Sequence, residues 1–222
     1  MALRGDAAML LWYDILPEAI EAHDEWHTRE HFAERVGIPG FLRAQRWVAE
    51  SGGPRYFVAY EVADLAVLCG APYMDRLNHP TPWTRRTMPS FRGMTRGLCT
   101  VKQRHGTVLG ASALTIRFAS TAQDRQGLED WLTATLPGLV QREGVTSAFL
   151  LEAGATPEMT KEQSIRGRDA GVDQVLWVTG YCSAAIGQLA AGELAIPTLE
   201  QHGAAPNATL DLYGLVCLAD SD

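Results

Sequence analysis

The chain repeats itself. Glu25-Trp26-His27-Thr28 returns about 105 residues later as Asp130-Trp131-Leu132-Thr133, and Gly97-Leu98-Cys99 is echoed by Gly214-Leu215-Val216-Cys217. A period of that size is too long for a solenoid repeat. The 222 residues therefore read as a duplicated domain, 1–105 and 106–222. In this register His23, His27 and His31 fall on Leu128, Leu132 and Leu136. Residues spaced i, i+4, i+8 stack along one side of a helix, each about 6 Å above the last. A position that holds leucine in one copy points inward, and an inward imidazole is costly unless it is paired or used. The first copy is where chemistry is expected, and the second is expected to be mainly structural.

Hydrophobic periodicity and turn residues give the same order of elements twice. In the first copy residues 8–14 read as a strand. Pro17-Glu18 opens a helix that Gly37-Ile38-Pro39-Gly40 stops near Val36. Residues 41–50 and 55–62 read as a hairpin around Ser51-Gly52-Gly53-Pro54, and residues 63–77 as a second helix. Pro80, Pro82 and Pro89 predict an irregular connection to a last strand, 92–103. In the second copy the strands are expected at 109–119, 145–152, 174–181 and 207–218, with helices at 122–142 and 183–194. Each copy is thus βαββαβ, the ferredoxin-like α+β pattern. One such sheet leaves a face uncovered, and two facing sheets close into an α+β barrel within one chain. Residues 154–171 are an insertion in the second copy, to be read as a lid or as a mobile loop.

Composition excludes several functional classes. At 46% hydrophobic and 20% charged residues the chain is of the ordinary globular type. A net charge of −7 argues against a nucleic-acid surface, and Arg85-Arg86 does not reverse it. No apolar run approaches the roughly 20 residues of a membrane span. Met1–Asp14 reads as a strand and not as a signal peptide. Cys69, Cys99, Cys182 and Cys217 are dispersed in apolar settings, which predicts reduced, buried thiols and a cytoplasmic protein. There is no G-x-S-x-G elbow, P-loop or G-x-G-x-x-G turn.

Trp26-His27-Thr28-Arg29-Glu30-His31, followed by Ile38-Pro39-Gly40-Phe41-Leu42-Arg43-Ala44-Gln45-Arg46-Trp47, resembles the first helix and second strand of EthD-like members of the dimeric α+β barrel superfamily. Leu77-Asn78-His79-Pro80-Thr81-Pro82-Trp83 resembles a motif of related bacterial proteins. The resemblance covers about residues 8–103 and implies small, often apolar or aromatic substrates held between sheet and helices. The second copy lacks the histidine row, the Pro-Gly-Phe turn and the arginines, so one site is expected. The superfamily spans cofactor-free monooxygenases, muconolactone-type isomerases and haem-handling enzymes, and fold alone does not choose among them.

The candidate catalytic residues are His31, His27 and Arg46. Imidazole titrates near neutral pH and serves as acid or base. His31 holds the Glu-His position of the resemblance, although Glu30 sits about 100° away around a helix. Arg43 and Arg46, three apart, cannot share a strand face. Arg46 is preferred as the holder of an anionic oxygen, because Gln45 and Trp47 then share the other face. Trp26, Tyr13, Tyr56, His79 and Trp83 are candidate substrate-binding residues, against the plainer alternative that they fill core or anchor loops. His27-Thr28-Arg29-Glu30-His31 also fits the H-x-x-E-H zinc pattern. No third ligand is evident, so no metal and no cofactor is expected. The leading expectation is a cofactor-independent isomerase, lyase or decarboxylase acting by proton transfer on a small apolar or aromatic carboxylate or carbonyl compound. A non-catalytic carrier of a small hydrophobic ligand and a cofactor-free oxygenase of an electron-rich ring are the alternatives. A small-molecule substrate and a homodimer are the expected partners, with no nucleic acid and no membrane.

Overall fold

The computed structural model describes residues 2–121, 124–154 and 160–221. Its strands are β1 (Ala7–Ile15), β2 (Phe41–Ser51), β3 (Tyr56–Val62), β4 (Phe91–His105), β5 (Ser112–Phe118), β6 (Val145–Ala153), β7 (Gln174–Gly180) and β8 (Thr209–Asp220). They close into one barrel in the order β1-β3-β2-β8-β5-β7-β6-β4. Within each half the order is ferredoxin-like, β4-β1-β3-β2 and β8-β5-β7-β6. Antiparallel pairing of β2 with β8 and of β4 with β6 joins the halves. Closure satisfies the four edges that two separate sheets would leave open.

Strand alternation sorts the side chains into an inner and an outer set. Ala8, Leu10 and Trp12 of β1 point into the barrel, where they meet Trp47, Phe57, Phe149, Trp177 and Tyr213. Met9 and Tyr13 point outward into the layer beneath the first half's helices. The second half has its own outer layer, in which Leu128, Leu132 and Leu136 are fully buried. Each contributes about 1.5–3 kcal/mol by leaving water.

Several elements depart from the sequence reading. Residues 17–36 are not one regular helix. A 3₁₀ turn at Pro17–Ala19 leads into α1 (Ile20–Trp26), a π turn at His27–His31 and α2 (Phe32–Val36). Residues 63–77 divide into a 3₁₀ turn at Leu65–Cys69, capped by Asp64, and α3 (Ala71–Asn78). The proline-rich connection is not irregular: Pro82 opens α4 (Pro82–Thr87), capped by the Thr81 hydroxyl on Thr84 N. Proline is suited to a first helical turn, so three prolines in this segment still permit a helix.

In the second half the main helix is α5 (Arg125–Leu139), and Ala122, where the sequence reading began it, lies outside the described residues. The insertion carries α6 (Lys161–Arg166); residues 155–159 of it lie outside the described residues. The helix expected at 183–194 is α7 (Ser183–Ala191), and a further helix, α8 (Ile196–Gln201), follows it. The cysteines are corrected too. All four are free, but only Cys99 is buried and Cys69 is exposed.

Candidate active site

A small cavity lies between the outer faces of β1, β3 and β4 and the helices of the first half. Met9, Leu11 and Tyr13 form its floor from β1, and Leu11 is paired with Arg96 of β4. Trp26, His27 and His31 form the opposite wall. The free space is about 30 Å³, room for one or two waters. A ring-sized guest must therefore displace side chains. Met9, Met88 and Met94 line the space, and methionine repacks more readily than any branched residue.

The π turn aligns the imidazoles. On an α-helix two steps of four residues drift by about 80° around the axis. A π turn is wider, with i to i+5 bonding, and drifts the other way. His23 and His27 accordingly stack at 5.2 Å between ring centres, and His27 and His31 at 5.4 Å. All three are buried. Desolvation is the main force on each: it lowers His23 below the ordinary imidazole range and His27 and His31 well below it. All three are neutral at pH 7.

Neutral rings next to fixed partners have defined roles. Arg46 Nη1, which can only donate, lies 3.4 Å from His27 Nδ1, so Nδ1 accepts and Nε2–H donates to the Tyr60 hydroxyl oxygen at 3.1 Å. The Tyr60 hydrogen is thereby left for the cavity that Tyr60 lines. His23 is set the other way round. Its Nδ1–H faces Asp24 Oδ1 at 3.0 Å, and Nε2 accepts from the Tyr13 hydroxyl at 3.1 Å. Asp24 Oδ1 also accepts from Tyr56 Oη at 2.8 Å. A chain therefore runs carboxylate, imidazole, phenol, and its last member opens on the cavity. Burial pushes the Tyr13 phenol well above its usual range, so its anion would be a strong base. His31 differs from both: its Nδ1 is buried without a hydrogen-bond partner, 3.7 Å from Glu34 Oε2, and its ring lies on Trp26 at 4.3 Å.

The cavity is roofed by the second half. Thr160, Glu162, Gln163 and Arg166 of the insertion line it. Arg35 Nη2 grips Glu162 at 2.9 and 3.2 Å, both residues being buried. Thr160 and Gln163 close a capping box on α6. The second half is thus more than support, because it completes the wall of a site otherwise built from residues 1–105.

The structure gathers Tyr13, Trp26, His27 and His31 around one cavity and places the other sequence candidates elsewhere. Arg46 is on the helix-facing side of β2, as alternation requires, with Gln45 and Trp47 on the barrel side. It does not line the cavity. Its guanidinium is engaged by Asp24 O at 3.3 Å, Asp24 Oδ1 at 3.5 Å and Thr28 Oγ1 at 3.1 Å. It holds the helix and the His27 tautomer in place, so it is a positioning residue. Tyr56 stacks behind Tyr13 at 5.4 Å. His79 is 70% exposed and paired with Asp75 at 2.9 Å. Trp83 packs at the edge of the outer core. Glu30 serves Trp26 and not His31, accepting from Trp26 Nε1 at 3.1 Å and from Thr81 Oγ1 at 2.6 Å. Among the described residues no group of three or more metal-ligating side chains comes together. The sequence reading passed over Asp24, Tyr60, Arg35 and Arg96. The last had a signal, an arginine in alternation with Met94 and Leu98 on a strand.

The sequence matches no protein-family profile and no curated protein. Its architecture is nonetheless shared with solved structures over nearly the whole chain. An anthrone oxidase-like protein superposes with a TM-score of 0.64 at 12% identity, covering 100% of this chain and 96% of its own. The chain has the dimeric α+β barrel fold. A ferredoxin-fold protein of Listeria monocytogenes related to antibiotic biosynthesis monooxygenases superposes with a TM-score of 0.51 at 10% identity, covering 97% of each chain. Chlorite dismutase of Candidatus Nitrospira defluvii gives 0.56 at 9% identity, covering 94% of this chain and 90% of its own. At these identities the likeness is one of fold. No helix among the described residues is long and apolar enough to cross a membrane.

Proposed function

We propose that this protein is a cofactor-independent, EthD-like enzyme that removes a proton from a small apolar or aromatic carbonyl or carboxylate compound. One observation carries the reading: the Asp24–His23–Tyr13 chain ends at a phenol on a small cavity of mixed apolar and polar walls. Tyr13 oxygen takes the substrate proton as its own passes to His23 Nε2, and the Asp24 carboxylate stabilises the imidazolium that forms. This is the division of labour of a nucleophile–histidine–carboxylate triad, used here for proton transfer. The Tyr60 hydroxyl, whose oxygen is engaged by His27, donates to the oxyanion that develops on the substrate. The Tyr13 hydroxyl, reprotonated from His23, returns the proton at another carbon and so completes an isomerisation, with the neutral His31 ring on the same wall orienting the bound carbanion.

The test is solvent exchange. With a panel of aryl ketones and arylacetates in deuterated buffer, the protein is expected to speed exchange at the acidic carbon. Tyr13→Phe should slow it by about 10²-fold or more, and His31→Gln should alter product formation more than exchange. A rate equal to that of buffer across the panel would leave a ligand carrier as the better description. An oxygenase reading is favoured by the anthrone oxidase-like and monooxygenase-related proteins that share the fold. It uses the same first step, since an electron-rich carbanion or phenolate is the species that molecular oxygen oxidises. Oxygen uptake with candidate phenols separates the two outcomes.

A further inference from the structure

One cationic side chain of the cavity keeps donors that no described residue fills. Arg96 comes off β4 into the cavity wall, its side chain only 4% exposed. Among the described residues its one acidic partner is Asp169, 3.2 Å from Nε. That carboxylate is already shared: Asp169 Oδ2 accepts from Arg166 Nη2 and from Gln163 Nε2, both at 2.8 Å. Among the described residues, Arg96 Nε and Nη2 have no hydrogen-bond partner, and neither does His31 Nδ1 in the same cavity. An unpartnered buried guanidinium N–H costs free energy unless a ligand meets it.

A second, independent observation lies outside. Between the start of β4 and the end of the α6 insertion runs an open groove of about 250 Å³, bounded by Arg92, Arg166 and Arg168 with Phe91 and Met94. Phe91, Met94 and Arg166 line the cavity as well, so the groove adjoins it. No carboxylate lines the groove among the described residues. Arg92 is bonded to the backbone carbonyls of Pro89 and Phe91 and keeps its full charge there. Arg166 is neutralised by Asp169, so Arg92 and Arg168 carry the local reversal of sign in a chain of net charge −7, and such a mouth raises the capture rate of anions.

We infer that the substrate is an apolar or aromatic monocarboxylic acid, that it enters through the Arg92–Arg166–Arg168 groove, and that its carboxylate settles on Arg96. Two planar donors suit a flat monoanion. A phosphate would bring more charge and more oxygens than these donors meet. The Arg35–Glu162 pair and the Arg166–Asp169 pair hold the roof over the acid once it is in. The inference deepens the proposed function and rests on its cavity being the substrate site, but it concerns binding and is tested without turnover.

The probes are phenylacetate and cinnamate, each paired with its own primary amide, titrated against the intact protein with Trp26 fluorescence and calorimetry as readouts. Each acid is expected to bind at least tenfold more tightly than its amide. Arg96→Gln should abolish that preference while leaving amide affinity within about threefold. Arg168→Gln, at an exposed position that cannot threaten folding, should slow association of the acids, weaken its salt dependence and leave dissociation unchanged. Tyr13→Phe should retain acid binding, so loss of proton transfer and loss of the anion subsite are separate results. Equal affinity for acid and amide, binding of neither at millimolar concentration, or a preference that survives in folded Arg96→Gln would each overturn the inference.

Discussion

The two halves of the barrel bury the same helix face in different chemistry. In α5, Leu128, Leu132 and Leu136 are fully buried on a regular α-helix that tolerates even Pro137. In the first half, His23, His27 and His31 occupy the matching row, and there the helix opens into a π turn. Leucine contacts are non-directional, so a row that drifts around the axis still finds core to fill. Imidazoles have two directed nitrogens, and each ring must meet its partner at hydrogen-bonding distance. The distortion follows the need for alignment. The tryptophans diverge in the same way. Trp26 is fully buried against His31, whereas Trp131 is half-buried and stacks on His202 at 4.4 Å. One half packs leucines on that face, and the other fits a hydrogen-bonded imidazole row into the same fold.

This contrast can be broken at several points. The largest effect is expected from Leu132→Ala in the second half, which should lower unfolding free energy by about 2–5 kcal/mol through the cavity it leaves and change proton-transfer rate hardly at all. Denaturant melts and exchange kinetics on the same sample would check both parts. Tyr13→Phe should behave in the opposite sense. It should cost about 2.7 kcal/mol of transition-state stabilisation, a 10²-fold loss, with only about 1 kcal/mol of stability lost through the His23 Nε2 left without its donor.

The acid limb of stability should belong to the first half. The folded pKa values of His23, His27 and His31 are lowered, mainly by desolvation. The unfolded chain therefore binds more protons below about pH 6.5. Stability is fully present above that pH and is lost as pH falls from there toward the folded values, by up to about 1.4 kcal/mol per pH unit for each ring. Melting temperature against pH for the parent and for His31→Leu should show a shallower acid limb in the variant by about one proton. The smallest effect is that same substitution at pH 7. His31 Nδ1 has no partner to lose, so His31→Leu should shift stability by no more than about 1 kcal/mol, whereas His23→Leu, which strands Asp24 and Tyr13, should cost more.

Much of this was visible in the residues alone. Alignment of the histidine row on three leucines read its burial from the second copy, and strand alternation separated Arg46 from Gln45 and Trp47. The four cavity residues that the sequence reading named all lie on the best-patterned elements, β1 and the first helix. The others failed for identifiable reasons. Arg46 has the right face but lies beneath a helix turn that engages its Nη1 and Nη2 groups, whereas Arg96 has the right face beside the cavity. His79 sits in a motif that resembles a functional one, yet its side chain points to solvent. The polar insertion reads from sequence as either a lid or a mobile loop, because charged residues are usually exposed. Glu162 is buried only because Arg35 waits for it 127 residues away in the chain.

By itself the sequence determined the duplication, the βαββαβ order in each half and the inward face of the first helix. These are consequences of backbone period, which is a local property, and a periodic pattern records them wherever the chain goes. Tertiary structure alone decided that Tyr13 meets His23, that the insertion roofs the other half's cavity, and that the arginine facing open space is Arg96. Those outcomes depend on which distant groups compete for the same hydrogen bonds and the same volume, and that competition exists only once the barrel has closed.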